Sequence, residues 1–153
     1  MINETGGGQA LYALAPDGTG RVKLASSKGA IEWPAWSPDG SKISLLSRIP
    51  KAEPDLVVVD LKNGKARTMA KSLGGIQSPT QWSPDSTKIA FENGVDGIVI
   101  GANGSQRHRV TPTDKNQQGL RWARDSKRMF FSFGMLDDNA FDTNGQRVFR
   151  RLR

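Results

Sequence analysis

Few residues of this chain could carry out chemistry, and their spacing argues against most of it. There is no Cys among the 153 residues, which removes thiol catalysis, thiolate zinc sites, disulfides and iron–sulfur clusters together. The lone histidine, His108, stands between Arg107 and Arg109 on a segment expected to be an outer strand, and reads as a solvent-facing strand residue. No Gly-x-Ser-x-Gly elbow presents a serine nucleophile. Gly6-Gly7-Gly8 lacks the preceding strand and the following Lys-Ser/Thr of a phosphate loop. It is expected to belong to a flexible tail over residues 1–9. Asp137-Asp138-Asn139 is a small oxygen-donor cluster, and adjacent Asp residues more often cap a loop in solvent than hold Ca²⁺. No cofactor or metal is expected.

Three aspartates, Asp39, Asp85 and Asp125, recur at matching places and resemble a carboxylate set. Each sits inside a turn. Trp36-Ser37-Pro38-Asp39-Gly40 returns as Trp82-Ser83-Pro84-Asp85-Ser86 and more loosely as Trp122-Ala123-Arg124-Asp125-Ser126. Ser, Pro, Asp and Gly in that order match a type I turn, so the carboxylates serve their own backbones rather than an acid–base pair. The third copy, without Ser, Pro and Gly, is expected to be held least well.

The elements around those turns repeat as well. After each comes a short alternating strand: Lys42-Ile43-Ser44-Leu45, Lys88-Ile89-Ala90-Phe91, and Arg128 to Phe133. Period two places Ile43 with Leu45, Ile89 with Phe91, and Met129 with Phe131 and Phe133 on one sheet face. Outer hairpins follow at Asn63-Gly64, Asn103-Gly104 and Asn144-Gly145, and Asn-Gly suits a type I′ turn. A further hairpin opens the chain, Leu11 to Leu14 and Arg21 to Leu24 around Pro16-Asp17-Gly18. No dozen residues keep a helical period free of Gly and Pro. A period of 40–46 residues is that of one propeller blade, about 40–50 residues.

Trp-Ser-Pro-Asp-Gly, a basic residue and Ile, then a strand ending in Asp before a Gly turn, resembles the TolB-like β-propeller repeat. The same repeat occurs in propeller domains of prolyl-oligopeptidase-like serine peptidases. The resemblance runs from about Ala10 to the C-terminus and implies an all-β fold of four-stranded antiparallel blades around a channel, six in a TolB propeller. The expected organisation here is the tail 1–9, an outer hairpin over 10–30, and blades over 31–76, 77–117 and 118–153. That makes about three and a half blades. An open ring leaves blade edges bare at both ends, which invites self-association. A segment of a longer propeller, a face-to-face dimer and a short open array are the three organisations that compete.

Charge adds a second expectation. The net charge is +7, and residues 101–153 hold 11 Lys/Arg against 5 Asp/Glu. Such a field steers acidic partners. No single-strand stacking platform or recognition helix accompanies it, which argues against nucleic acid. No stretch approaches 18 uninterrupted apolar residues, so no membrane-spanning helix is expected. Met1 to Gln9 show no basic segment followed by an apolar run, so no secretory signal is expected there.

Propellers bind through the channel mouth, built by the starts of inner strands and the loops beside them. The repeat register places Glu32, Trp33, Gln77, Gln118 and Arg121 there, flanked by loops Ser47–Glu53 and Asn93–Asp96. Trp33 also suits core packing. The resemblance implies a non-catalytic module that binds a protein or peptide partner, in a TolB protein the peptidoglycan-associated lipoprotein in the bacterial periplasm. Two alternatives stand beside it. One is the propeller of an oligopeptidase, gating access to a separate catalytic domain. The other is an anionic-polymer binder acting through the basic C-terminal blade.

Overall fold

The computed structural model describes residues 2–3, 8–76, 78–94, 96–111, 117–133 and 137–142. No helix occurs among them, and 14 strands form four antiparallel sheets in chain order. The first sheet contains β1 (Ile2–Asn3), β2 (Gln9–Ala13) and β3 (Val22–Ser27). The second is β4 (Ala30–Trp36), β5 (Lys42–Arg48), β6 (Asp55–Asp60) and β7 (Ala66–Ala70). The third is β8 (Gln81–Trp82), β9 (Lys88–Asn93), β10 (Asp96–Gly101) and β11 (His108–Arg109). The last comprises β12 (Gln117–Trp122), β13 (Arg128–Phe133) and β14 (Asp137–Asp142). Each is a meander whose neighbours in the sheet are neighbours in sequence, which makes the chain a partial all-β propeller.

Two sequence expectations for the ends give way to pairing. Ile2 and Asn3 of the expected tail lie opposite Ala10 and Gln9, so part of that segment satisfies the backbone edge of β2. Asp137-Asp138-Asn139 is strand rather than loop, opposite Phe133, Ser132 and Phe131 of β13. The hairpin at Asn144-Gly145 lies outside the described residues.

Period two decides which face of each strand meets which neighbour. Ile43, Leu45 and Val59 pack with Leu11 between the first and second sheets. Leu46, Leu56 and Val58, on the opposite face of the same strands, pack with Ile89, Phe91, Ile98 and Ile100 of the third sheet. Ala90 and Val99 then turn toward Leu120, Met129 and Phe131 of the fourth. Sheets two and three are therefore apolar on both faces, which is why β6 and β10 read as unbroken apolar runs. Phe130, one residue out of phase with Met129 and Phe131, is 43% exposed.

The Trp turns are latches between sheets as well as turns within them. Gly40, Ser86 and Ser126 each donate a backbone N–H to the carbonyl three residues back, at 2.9, 2.8 and 3.1 Å. All three have positive φ, 70°, 61° and 59°. Serine there carries a left-handed penalty that glycine does not. Its hydroxyl gives a return: Ser86 Oγ accepts the Asp39 N–H at 3.1 Å, and Ser126 Oγ accepts the Asp85 N–H at 2.9 Å, each from the preceding sheet. The third turn, expected to be the loosest, keeps the same backbone bonds. Arg128 Nε meets Asp125 Oδ2 at 2.7 Å, where the first two copies use a Ser hydroxyl.

The Asn-Gly hairpins differ from the expected type I′ geometry. Gly64 and Gly104 have positive φ, but Asn63 and Asn103 do not. Gly104 N–H bonds Gly101 O at 2.8 Å and Gly101 N–H bonds Ser105 O at 2.8 Å, a three-residue loop built on a type I turn with a left-handed glycine. The Asp60–Lys65 loop holds four residues, Gly64 N–H reaching Asp60 O at 2.8 Å. Asparagine acts through its side chain: Asn63 Oδ1 accepts Lys65 N–H at 2.9 Å and Asn103 Oδ1 accepts Ser105 N–H at 3.0 Å.

Candidate functional site

The inner strands begin with a shared irregularity. In β4 one extra residue separates Glu32 from Ala35 relative to β5, and Trp33 within it has φ +48°. In β12 the same shift falls between Gln118 and Arg121, with Gly119 at φ +72°. Both residues lie three before their Trp, so the bulge is part of the repeat. The third sheet has Pro79 at that place, whose ring fixes φ near −65° and forbids the bulge. Its inner strand accordingly starts only at Gln81.

Trp33 is half-buried and packs against the core between the second and third sheets. An aromatic residue at positive φ is uncommon, and such strain persists only where surroundings over-determine it. Glu32 is committed to its neighbour strand: Arg48 Nε and Nη2 donate to its Oε1 and Oε2 at 3.2 and 3.3 Å. Gln118 enters β12 opposite Ser132. Gln77 lies outside the described residues.

Arg121 is exposed and sits in a cleft of about 300 Å³ with Ser78, Pro79, Gln81, Glu92 and Gly119. Glu92 ties the two sheets together, accepting Leu120 N–H at 2.8 Å on Oε1 and the Ser78 hydroxyl at 3.3 Å on Oε2. Leu120 O accepts from the Gln81 side-chain amide and from Arg121 Nη1, the latter at 2.8 Å. Of the sequence candidates whose side chains are described, Arg121 lines this cleft, while Glu32 and Trp33 belong to the second sheet. Gln81 and Glu92 were not singled out from sequence. Gln81 carried a signal, because it occupies the Arg121 position of its repeat, immediately before Trp. Glu92 carried none, since its repeat counterpart is the buried Leu46.

The turn-side end holds a second cleft, of about 370 Å³, lined by Lys42, Thr87, Lys88 and the Gly101–Gln106 loop. Lys42 Nζ meets Ser41 Oγ at 3.0 Å.

The recurring aspartates are engaged as the sequence reading requires. The Ser37 hydroxyl, then the N–H and hydroxyl of Ser41, hold the Asp39 carboxyl down at about 2. At Asp85 burial pushes upward, and the Ser83 hydroxyl with the N–H and hydroxyl of Thr87 outweigh it, leaving the group lowered. The Lys127 N–H, ahead of Arg128, lowers Asp125. No group of three or more His, Cys, Asp or Glu able to hold a metal occurs among the described residues. No helix there is long and apolar enough to cross a membrane.

No protein-family model matches the chain. Among curated proteins it is 29% identical over 115 residues to dipeptidyl-peptidase 5 of Porphyromonas gingivalis, covering 63% of this chain and 17% of that protein. It is 34% identical over 89 residues to the Tol-Pal system protein TolB of Alcanivorax borkumensis, covering 58% of this chain and 20% of that one. The chain thus spans about a fifth or less of these relatives. Among solved structures, TolB of Acinetobacter baumannii aligns with TM-score 0.68 at 24% identity, over 90% of this chain and 36% of that one. The putative TolB of Agrobacterium tumefaciens gives TM-score 0.68 at 18% identity, over 90% and 54%. A prolyl endopeptidase structure aligns with TM-score 0.66 at 19% identity, over 92% and 25%. The chain therefore folds as a partial all-β propeller of the TolB-like kind.

Proposed function

We propose that this segment is a non-catalytic docking module that receives a protein or peptide partner at the end where its inner strands begin. The observation that carries the reading is the cleft around Arg121, which lies at that end, between the third and fourth sheets. Trp33, Glu32, Gln77 and Gln118 would form the surrounding surface. The similarity to a Tol-Pal system protein supports the same reading, and with it an extracytoplasmic setting.

Site-specific photo-cross-linking tests it. A benzophenone side chain at Trp33 or Pro79, presented to an envelope extract of the source organism, is expected to give one discrete protein adduct. The same probe at Arg67, on the outer strand β7, is expected to give none. Equal adducts from all three positions, or no adduct from Trp33 and Pro79, would dismiss the docking face.

The oligopeptidase reading is favoured by a different observation, the alignment with dipeptidyl-peptidase 5 over 63% of the chain. In that reading the segment screens access to a catalytic domain elsewhere in the same polypeptide. A Ser…Asp…His order following this segment in the full gene product would decide for it. The anionic-polymer reading draws less support, because Arg109 pairs with Asp96 at 3.4 Å and Arg128 with Asp125 at 2.7 Å. Steep loss of polyanion binding as salt rises would restore it.

A further inference from the structure

We infer that the cleft formed by β8, β9 and β12 accepts a carboxylate of the docking peptide, with the Arg121 guanidinium as its receptor. The inference rests on reading this end as the docking face. It follows from an account of donors and acceptors. Among the described residues Glu92 is the one carboxylate lining the cleft, and its two oxygens accept from Leu120 N–H and the Ser78 hydroxyl. The Leu120 carbonyl is used twice, by Gln81 and by Arg121. Glu92 and the Leu120 carbonyl are therefore engaged by the fold itself.

The Arg121 guanidinium is engaged only in part. A guanidinium has five N–H groups in a rigid fork. Arg121 places Nη1 on Leu120 O at 2.8 Å, and no carboxylate of the described residues lies within ion-pair distance of it. Arg48, Arg109 and Arg128, by contrast, each hold an acidic partner. Anchored by its own backbone neighbour, the Arg121 fork is pre-set for bidentate contact with a planar anion, the geometry a carboxylate matches. Gly119 leaves the approach open, having no side chain. Repeat position makes the arginine distinctive, since Ala35 and Gln81 stand at the same place before Trp36 and Trp82.

The test is a titration of the ¹⁵N-labelled chain with three hexapeptides. One carries a central Asp and an amidated C-terminus, the second has Asn in place of Asp, and the third is neutral with a free C-terminal carboxylate. The Asp peptide is expected to shift the amides of Gln81, Glu92, Gly119, Leu120 and Arg121, and the Asn peptide to bind at least tenfold more weakly. Shifts from the third peptide would identify a terminal carboxylate as a source, and their absence would restrict the site to acidic side chains. Arg121→Gln is expected to weaken the Asp peptide at least tenfold. Arg121→Lys, which keeps the charge and loses the fork, should weaken it severalfold. Both variants should leave the second-sheet amides unmoved. Equal binding of the Asp and Asn peptides, undiminished binding by Arg121→Gln, or no shift from any peptide would overturn the carboxylate site. The cross-links from Trp33 and Pro79 judge the docking face separately.

Discussion

The Trp82 indole Nε1–H donates to the carbonyl of Ala35 at 3.1 Å, fastening the third sheet to the inner strand of the second. Trp122 repeats the contact on Gln81 O at 3.2 Å. Trp36 makes no such bond with the described residues and is 54% exposed, because no strand is described on the inner side of β1. One repeat position thus has two energetic roles. Trp82→Ala is expected to cost about 3–5 kcal/mol, the loss for a buried large aromatic. Trp36→Ala should stay within about 1 kcal/mol. Urea unfolding of the two variants separates them, and equal losses would contradict the latch.

Ser86 offers a sharper comparison. Its φ of 61° favours glycine, while its hydroxyl serves Asp39 N–H across the sheet boundary. Ser86→Gly removes the hydrogen bond but relieves the backbone. Ser86→Ala removes the bond and keeps the strain. Alanine is therefore expected to be the more damaging by about 1 kcal/mol, on the usual left-handed penalty. Thermal midpoints in one buffer decide the order.

Acid should loosen the Trp turns. Asp39 has its carboxyl held at about 2, first by the Ser37 hydroxyl, well below the 3.8 of an unconstrained aspartate. Asp17, Asp85 and Asp125 are lowered too, Asp17 chiefly by the Thr19 N–H. A folded-state value below the unfolded one means the stabilisation is complete above about pH 4 and fades as pH falls toward about 2. Stability measured from pH 6 down to 2 is expected to drop within that window. Asp39→Asn should flatten part of the drop; an unchanged acid limb would refute its role.

The entry into β4 passes so close to the end of β5 that no room is left at Gly29. A Cβ there would run into the Arg48 carbonyl and stand 2.8 Å from the Cα of Ile49. Gly29→Ala should disturb the Ala30–Arg48 end of the β4–β5 ladder at a cost of about 3 kcal/mol, at the upper end for overpacking. Amide exchange is expected to accelerate at Ile31 and Arg48 before it does at Ile98 or Val99.

The Glu32–Arg48 pair should matter little to stability. Both side chains are about a third exposed, and such pairs contribute about 0–1 kcal/mol. Arg48→Gln is therefore expected to leave the urea midpoint almost unmoved. A loss of several kcal/mol would mean that the pair holds the Trp33 bulge in place.

Much of the fold could be read from the chain alone, because the signals that specify it are local. Period two assigns Ile43 and Leu45 to one face and Leu46 to the other. Ser-Pro-Asp-Gly specifies its turn through φ and side-chain bonds spanning two to five residues. What covers each face is not local. The acceptors for Trp82 and Trp122 lie 47 and 41 residues back, and the partner of Gln81 lies 39 ahead. The same Asn-Gly pair closes loops of different length because the register of the flanking strands, rather than the dipeptide, decides where the glycine falls. The repeat register places Arg121 near the start of an inner strand at the channel mouth. That its guanidinium borders a cleft in which Glu92 and the Leu120 carbonyl are already engaged emerges only when β8, β9 and β12 meet, since sheet packing determines which polar groups the fold satisfies for itself and which it leaves for a partner.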